Sequence, residues 1–137
     1  MGFPGLLRLL IALAGLAPWL FLLLKEQGLA FQPAFHAFCH QLPERTLEVC
    51  GTPMLVCSRC AGIYGGMALG AMLPAFGFMV RRGRLVLLIS LGAMLLDVLF
   101  QDAGLHPLNH ALRLATGLMV GWSASAFLFA SLEKARS

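Results

Sequence analysis

The sequence predicts an all-α integral membrane protein of four transmembrane helices, N-in/C-in, with a short amphipathic helix and a Cys/His-containing loop outside the cytoplasm between helices 1 and 2. Three observations predict it. Of 137 residues, 59% are hydrophobic and only 12% are charged, with a mean hydropathy of +0.83. A soluble domain carries about a quarter charged residues, so this chain lacks the polar groups to coat a globule in water. The apolar residues gather into runs close to the ~20 residues that cross a bilayer core. The basic residues flank those runs, where they set orientation. The net charge of +4 is therefore a topology charge, and it implies no nucleic-acid partner.

The four spans fall at about 5–24, 61–80, 85–100 and 108–132, in one membrane domain covering 1–137 with an extracytoplasmic loop at 25–60. The first contains Pro18, which predicts a kink, since neighbouring helices can satisfy the freed carbonyl. Gly28-Leu29-Ala30 loosely resembles a signal-peptide cleavage site. Against cleavage, the apolar run is longer than an h-region of up to about 15 residues. Between the second and third spans, Arg81, Arg82, Gly83 and Arg84 read as a basic turn. The positive-inside rule makes that turn cytoplasmic. Four spans then leave both termini inside, with Arg8, Lys134 and Arg136. The loop at 25–60 and the turn around 101–107 face the exterior of the plasma (inner) membrane.

Within the loop, Leu29–Leu42 reads as an amphipathic helix entered at Pro33, a residue favoured at the first helical turn. Phe31, Phe35, Phe38 and Leu42 share one face, suited to the headgroup boundary. His36, Cys39 and His40 lie on its flank. Glu44–Pro53 is turn-like and carries Cys50. Cys57 and Cys60 stand at the N-terminal end of the second span, where the helix dipole and Arg59 between them favour the thiolate.

A thiolate is both metal ligand and redox nucleophile, so three roles compete. Cys57, Cys60, Cys39 and either His40 or Cys50 can complete a four-coordinate site, with zinc the favoured metal. Alternatively, Cys57 and Cys60 form a redox pair relaying electrons to Cys39 and Cys50, with a membrane quinone as cofactor. Structural disulfides are the plain option for an even number of cysteines outside the cytoplasm. A bridge across two intervening residues, however, removes little chain entropy.

Asp97 in the third span and Arg113 in the fourth are predicted at similar depth. Charges inside a span are costly and pair or line a polar cavity. A register-fixing ion pair is one reading. The other is a polar pocket floored by Asp97, Asn109, His110 and Arg113, in which the arginine binds a carboxylate, a phosphate or a quinone oxygen. His106 and His110 have the four-residue spacing of a helical metal pair, but Pro107 between them interrupts a helix. Haem is disfavoured, because no Cys-x-x-Cys-His motif is present. Glycines recur every four residues at Gly62, Gly66 and Gly70, and again at Gly117 and Gly121. Such faces allow close helix contact, within the chain or in a homo-oligomer or larger membrane complex.

The string Cys39-His40-Gln41-Leu42-Pro43-Glu44-Arg45, followed by Cys57-Ser58-Arg59-Cys60-Ala61-Gly62-Ile63-Tyr64, resembles the C-H-Q-x-P-x-R … C-x-R-C-x-G-x-Y signature of a family of small, uncharacterised bacterial and archaeal polytopic membrane proteins. Asp97 and Asn109-x-x-x-Arg113-x-x-Thr116-Gly117 look like its later motif. The resemblance implies a multi-pass membrane protein and no particular activity. Its signature selects Cys39, His40 and Gln41, then Arg45, Cys57, Arg59 and Cys60, and omits Cys50. That choice favours a metal site of Cys39, His40, Cys57 and Cys60, supported by Gln41, Arg45 and Arg59. An exchangeable ligand would allow metal-dependent hydrolysis of a membrane substrate with Glu44 or Glu48 as base. The alternatives are a thiol–disulfide oxidoreductase acting through Cys57 and Cys60 with a quinone, and a non-enzymatic accessory subunit.

Overall fold

The structure, a computed structural model, describes residues 3–24, 32–37, 39–40, 42–73, 77–105, 107 and 109–136. Helix α1 (Phe3–Leu23) continues through Pro18, which is fully buried. A short helix α2 (Gln32–His36) and a 3-10 turn at Pro43–Arg45 lead into strands β1 (Thr46–Val49) and β2 (Thr52–Cys57). Helices α3 (Ser58–Met72), α4 (Gly77–Asp102) and α5 (His110–Arg136) complete the chain.

The protein is mostly helical, and three of its helices are long and apolar enough to cross a membrane: Gly5–Leu23, Arg81–Asp102 and His110–Ala135. The second expected span departs from this. Helix α3 has 15 residues, about 22 Å at 1.5 Å per residue, and stops at Met72 instead of reaching residue 80. Leu73 is extended (φ −86°, ψ 143°) because it precedes Pro74, whose ring disfavours a helical neighbour. The basic stretch is likewise not a turn. Arg81 to Arg84 lie within α4, which breaks at Arg82 (φ −127°, ψ 18°).

The turn-like segment 44–53 is largely a β-hairpin. Its antiparallel register pairs Thr46 with Cys57, Glu48 with Pro53 and Val49 with Thr52, with a bulge between Thr46 and Glu48. Cys50 (φ 52°) and Gly51 (φ 75°) occupy the left-handed region, as a two-residue type I′ turn requires. The amphipathic helix expected over 29–42 is helical only over Gln32–His36 among the described residues. Phe35 is half-buried against the bundle. Its ring meets Phe21 and Tyr64 edge-on at 6.1 and 6.2 Å. Phe31, Phe38 and Gln41 lie outside the described residues.

Helices α3 and α5 run parallel and form the centre, with α1 against α3 and α4 against α5. The glycine faces explain the central contact. A Cβ on Gly62 or Gly66 would overlap the carbonyl oxygens of Leu114 or Leu118, and one on Gly117 or Gly121 those of Arg59 or Ile63. The two stripes therefore pack against each other within one chain. Outward, α1 and α4 expose Leu6, Leu10, Leu13, Leu88, Ile89 and Leu95, an apolar surface suited to lipid.

The bundle has two distinct ends. At one, Arg8 pairs with Glu133 at 2.9 Å and lies over the Phe129 ring, and Gly83 of the basic stretch meets Phe127. At the other, β2, α2 and the start of α3 close over a core of Cys39, Met54, Val56 and Ala61, packed by Trp19 and Phe35. The Trp19 indole N–H donates to the Ala61 carbonyl at 3.3 Å.

Candidate metal centre

Three sequence features converge at the hairpin end. The chain leaves α2 through a helical hydrogen bond, Cys39 N–H donating to the Phe35 carbonyl at 2.9 Å, which turns the Cys39 side chain into the core. Strand β2 delivers Cys57 as the residue capping α3, in extended conformation (φ −64°, ψ 159°). One helical turn places Cys60 beside it. The three sulfurs all lie within 4.8 Å of one another, and the Cys57 N–H donates to Cys39 Sγ at 3.2 Å. Cys39 is buried, and Cys57 and Cys60 are half-buried.

Their electrostatics differ. The Cys60 S–H donates to Cys57 and holds that thiol down at about 5, with the Cys60 backbone N–H and Cys39 adding to the effect against the opposing burial. Cys60, as the donor beside a negative sulfur and with burial acting the same way, is pushed up. One proton is in effect shared between the two sulfurs.

The other expected ligand and its supporters are arranged around this cluster. His40 is exposed and borders the same cavity of about 330 Å³ as the three cysteines, but its ring is not within the sulfur cluster. Cys50 sits exposed at the hairpin tip, apart from the cluster. Gln41, which the signature selects, and His106 are outside the described residues. Arg45, from the 3-10 turn, and Arg59, from α3, both border the cavity. Glu44 and Glu48 are exposed and do not.

The polar-pocket residues are distributed differently from the expected floor. Asp97 accepts from Arg59 Nη2 at 2.5 Å, both side chains being largely buried, so its ion pair is with Arg59 and not with Arg113. Arg113 is only 2% exposed and borders the cysteine cavity. Asn109 caps α5: its Oδ1 accepts from the Ala111 and Leu112 N–H groups at 3.0 and 3.2 Å, a role its residue type favours. His110 opens that helix with a buried Nδ1 that has no hydrogen-bond partner among the described residues. Thr116 donates back to the Leu112 and Arg113 carbonyls.

Sequence comparison agrees with the membrane assignment. The profile of a family described as "Predicted membrane protein (DUF2085)" matches residues 39–127, from the first clustered cysteine to late α5. An uncharacterized protein of Methanocaldococcus jannaschii is 29% identical over 109 residues, covering 76% of this chain and 69% of the relative. One of Methanothermobacter thermautotrophicus is 38% identical over 90 residues, covering 64% and 80%. No solved structure matches the chain.

Proposed function

The chain belongs to the DUF2085 family of predicted membrane proteins, and on that premise we propose that it is a multi-pass plasma-membrane protein holding a metal on the extracytoplasmic side at Cys39, Cys57 and Cys60. The clustering of three sulfurs within 4.8 Å carries the reading. Thiolates bound to a tetrahedral zinc at about 2.3 Å lie roughly 3.8 Å apart, so the cluster need contract by only about an ångström. Three soft thiolates favour zinc over the hard oxygen-seeking cations. His40, on the rim of the cavity, is the adjacent donor for the fourth position. With His40 bound the site is closed and structural, pinning the hairpin to α3. With that position open, a metal held by the three cysteines would supply Lewis acidity for hydrolysis of a membrane substrate.

Cysteine placement also favours this role for the trio over a four-cysteine relay, because Cys50 stands apart at the hairpin tip. Thiol–disulfide exchange keeps one specific support, the lowered Cys57 thiol. In that reading Cys57 and Cys60 would pass two electrons and two protons to a quinone, leaving a disulfide and a quinol. An oligomer or accessory complex would need faces other than the glycine stripes, which meet each other within the chain.

Metal content of the purified, reduced protein separates the two readings. We expect about one bound metal per chain, lost in Cys57→Ser and Cys60→Ser and kept in Cys50→Ser, with thiolate-to-metal charge transfer after cobalt loading. A metal-free protein whose Cys57–Cys60 bond cycles with quinone would overturn the metal reading in favour of the redox one.

A further inference from the structure

The cavity carries a second feature that does not depend on a metal. Arg113 is 2% exposed, and its Nε and Nη1 have no hydrogen-bond partner among the described residues. A guanidinium stays protonated at any ordinary pH, so it cannot escape the cost of burial by neutralising, as a lysine or carboxylic acid can. The neighbouring carboxylate, Asp97, is engaged by Arg59. The Nε atoms of Arg59 and Arg45 are buried and also lack partners among the described residues. Three guanidiniums thus border one cavity beside one carboxylate. The three cations therefore outnumber the carboxylate at this cavity.

We propose that the cavity bordered by Arg45, Arg59 and Arg113 binds the phosphate group of a phosphoester. Three arginines from three elements (the 3-10 turn, α3 and α5) surround a tetrahedral oxyanion, whereas a planar carboxylate is satisfied by a single guanidinium fork. At about 330 Å³ the cavity is within the range of small-molecule sites, roughly 300–1,000 Å³, and exceeds what a bare ion needs. Leu42, Ile63 and Met94 offer an apolar wall to the organic part of the ester. Across the Arg59–Asp97 pair lies a second cavity of about 300 Å³, bordered by Asp97, Phe100, Leu105 and Leu112. Its three apolar residues are exposed on the outer surface of the bundle. A lipid headgroup and a soluble phosphate ester share the chemistry the arginines recognise, and the second cavity favours an amphiphile.

Thermal melting of the purified full-length protein tests this in two arms. In detergent, inorganic phosphate is compared with chloride at equal ionic strength. In phosphatidylcholine nanodiscs, phosphatidic acid is added or left out. We expect a saturable rise in melting temperature from phosphate or phosphatidic acid that persists in chelator. A rise confined to the phosphate arm identifies a soluble source, and one from phosphatidic acid a lipid source. Arg113→Met removes the unpartnered charge, so it should melt no lower than the parent in chloride and lose the ligand-dependent rise. Arg45→Gln, nearer the rim, should weaken apparent affinity by about tenfold, and it carries the test if Arg113→Met does not fold. No rise in either arm, a rise that the variants retain at the parent's apparent affinity, or a rise abolished by chelator would each overturn the proposal.

Discussion

Cys57 owes its lowered thiol value to a hydrogen bond from Cys60 more than to the helix end, and this has a consequence that can be titrated. In metal-free, reduced protein, alkylation of Cys57 should turn on with a midpoint near 5, below the ordinary thiol value of about 8.5. Cys60→Ala removes the donor and should move the midpoint up toward that ordinary range. A midpoint unchanged by the substitution would show that the helix dipole and backbone suffice. The stability effect has a definite sign. The folded value lies below the unfolded one, so ionised Cys57 favours the fold fully above about pH 8.5. That contribution fades as pH falls toward 5. Cys60 shifts the opposite way; well below about pH 8.5 it is protonated in both states and leaves the trend intact, and above that value, where the unfolded chain ionises it, it takes stability back. The grouping of three cysteines is legible at the residue scale. Cys39, Cys57 and Cys60 were named from spacing and signature, and the structure brings their sulfurs together. The partner of Asp97 was not legible. The sequence offers Arg59 and Arg113 alike, and only the way α3 and α4 both pack on α5 decides for Arg59.

Among the elements, the hairpin and the short α3 were missed for different physical reasons. Cys50-Gly51 is not one of the usual type I′ pairs, such as Asn-Gly, since few side chains other than Asn and Asp tolerate a positive φ. Pro53 also argues against a strand. It is accommodated because a two-stranded sheet has only edges, where a missing N–H costs nothing. Pro74 is a helix stop, but the apolar run continues past it and has the length of a span. The glycine spacing was legible, whereas its partner was not, because a small-residue stripe serves contacts within and between chains equally. The structure links that stripe to the site: the Arg59 carbonyl, between the two clustered cysteines of α3, occupies the space a Cβ on Gly117 would need. Gly117→Ala should therefore push α3 away from α5, destabilise the protein by about 3 kcal/mol, and weaken metal binding together with stability. Gly92→Ala, in α4 with nothing within 4 Å of the added carbon, should be neutral or gain up to about 1 kcal/mol from helix propensity. Melting in detergent beside metal content compares them. Equal behaviour of the two variants would mean that the α3–α5 contact is looser than the geometry indicates.

At the scale of the whole molecule, the charges sort to the two ends. Contacts place Arg8, Glu133 and the stretch from Arg81 to Arg84 at one end, and the cysteine cluster with its arginines at the other. Composition alone announced the bilayer, and the flanking arginines announced which residues belong together, even though their turn proved to be a kinked helix. Helix α3 is about 22 Å long by its 15 residues, less than the ~30 Å of a bilayer core. It can still run between the two ends because it is shielded by α1 and α5, with seven small residues buried along it. If the basic end is cytoplasmic, as the positive-inside rule requires, Cys50 at the hairpin tip must face outward. In intact cells, a membrane-impermeant maleimide should then label Cys50. A cysteine placed at exposed Arg84, in a Cys50→Ser background, should react only after permeabilisation. Reversed labelling would turn the molecule over and put the cysteine cluster in the reducing cytoplasm, where a metal site is favoured over a disulfide still more strongly. Labelling of both positions from outside would mean that α4 does not cross the membrane, and the apolar surface formed by Leu88, Ile89 and Leu95 would then need a cover other than lipid.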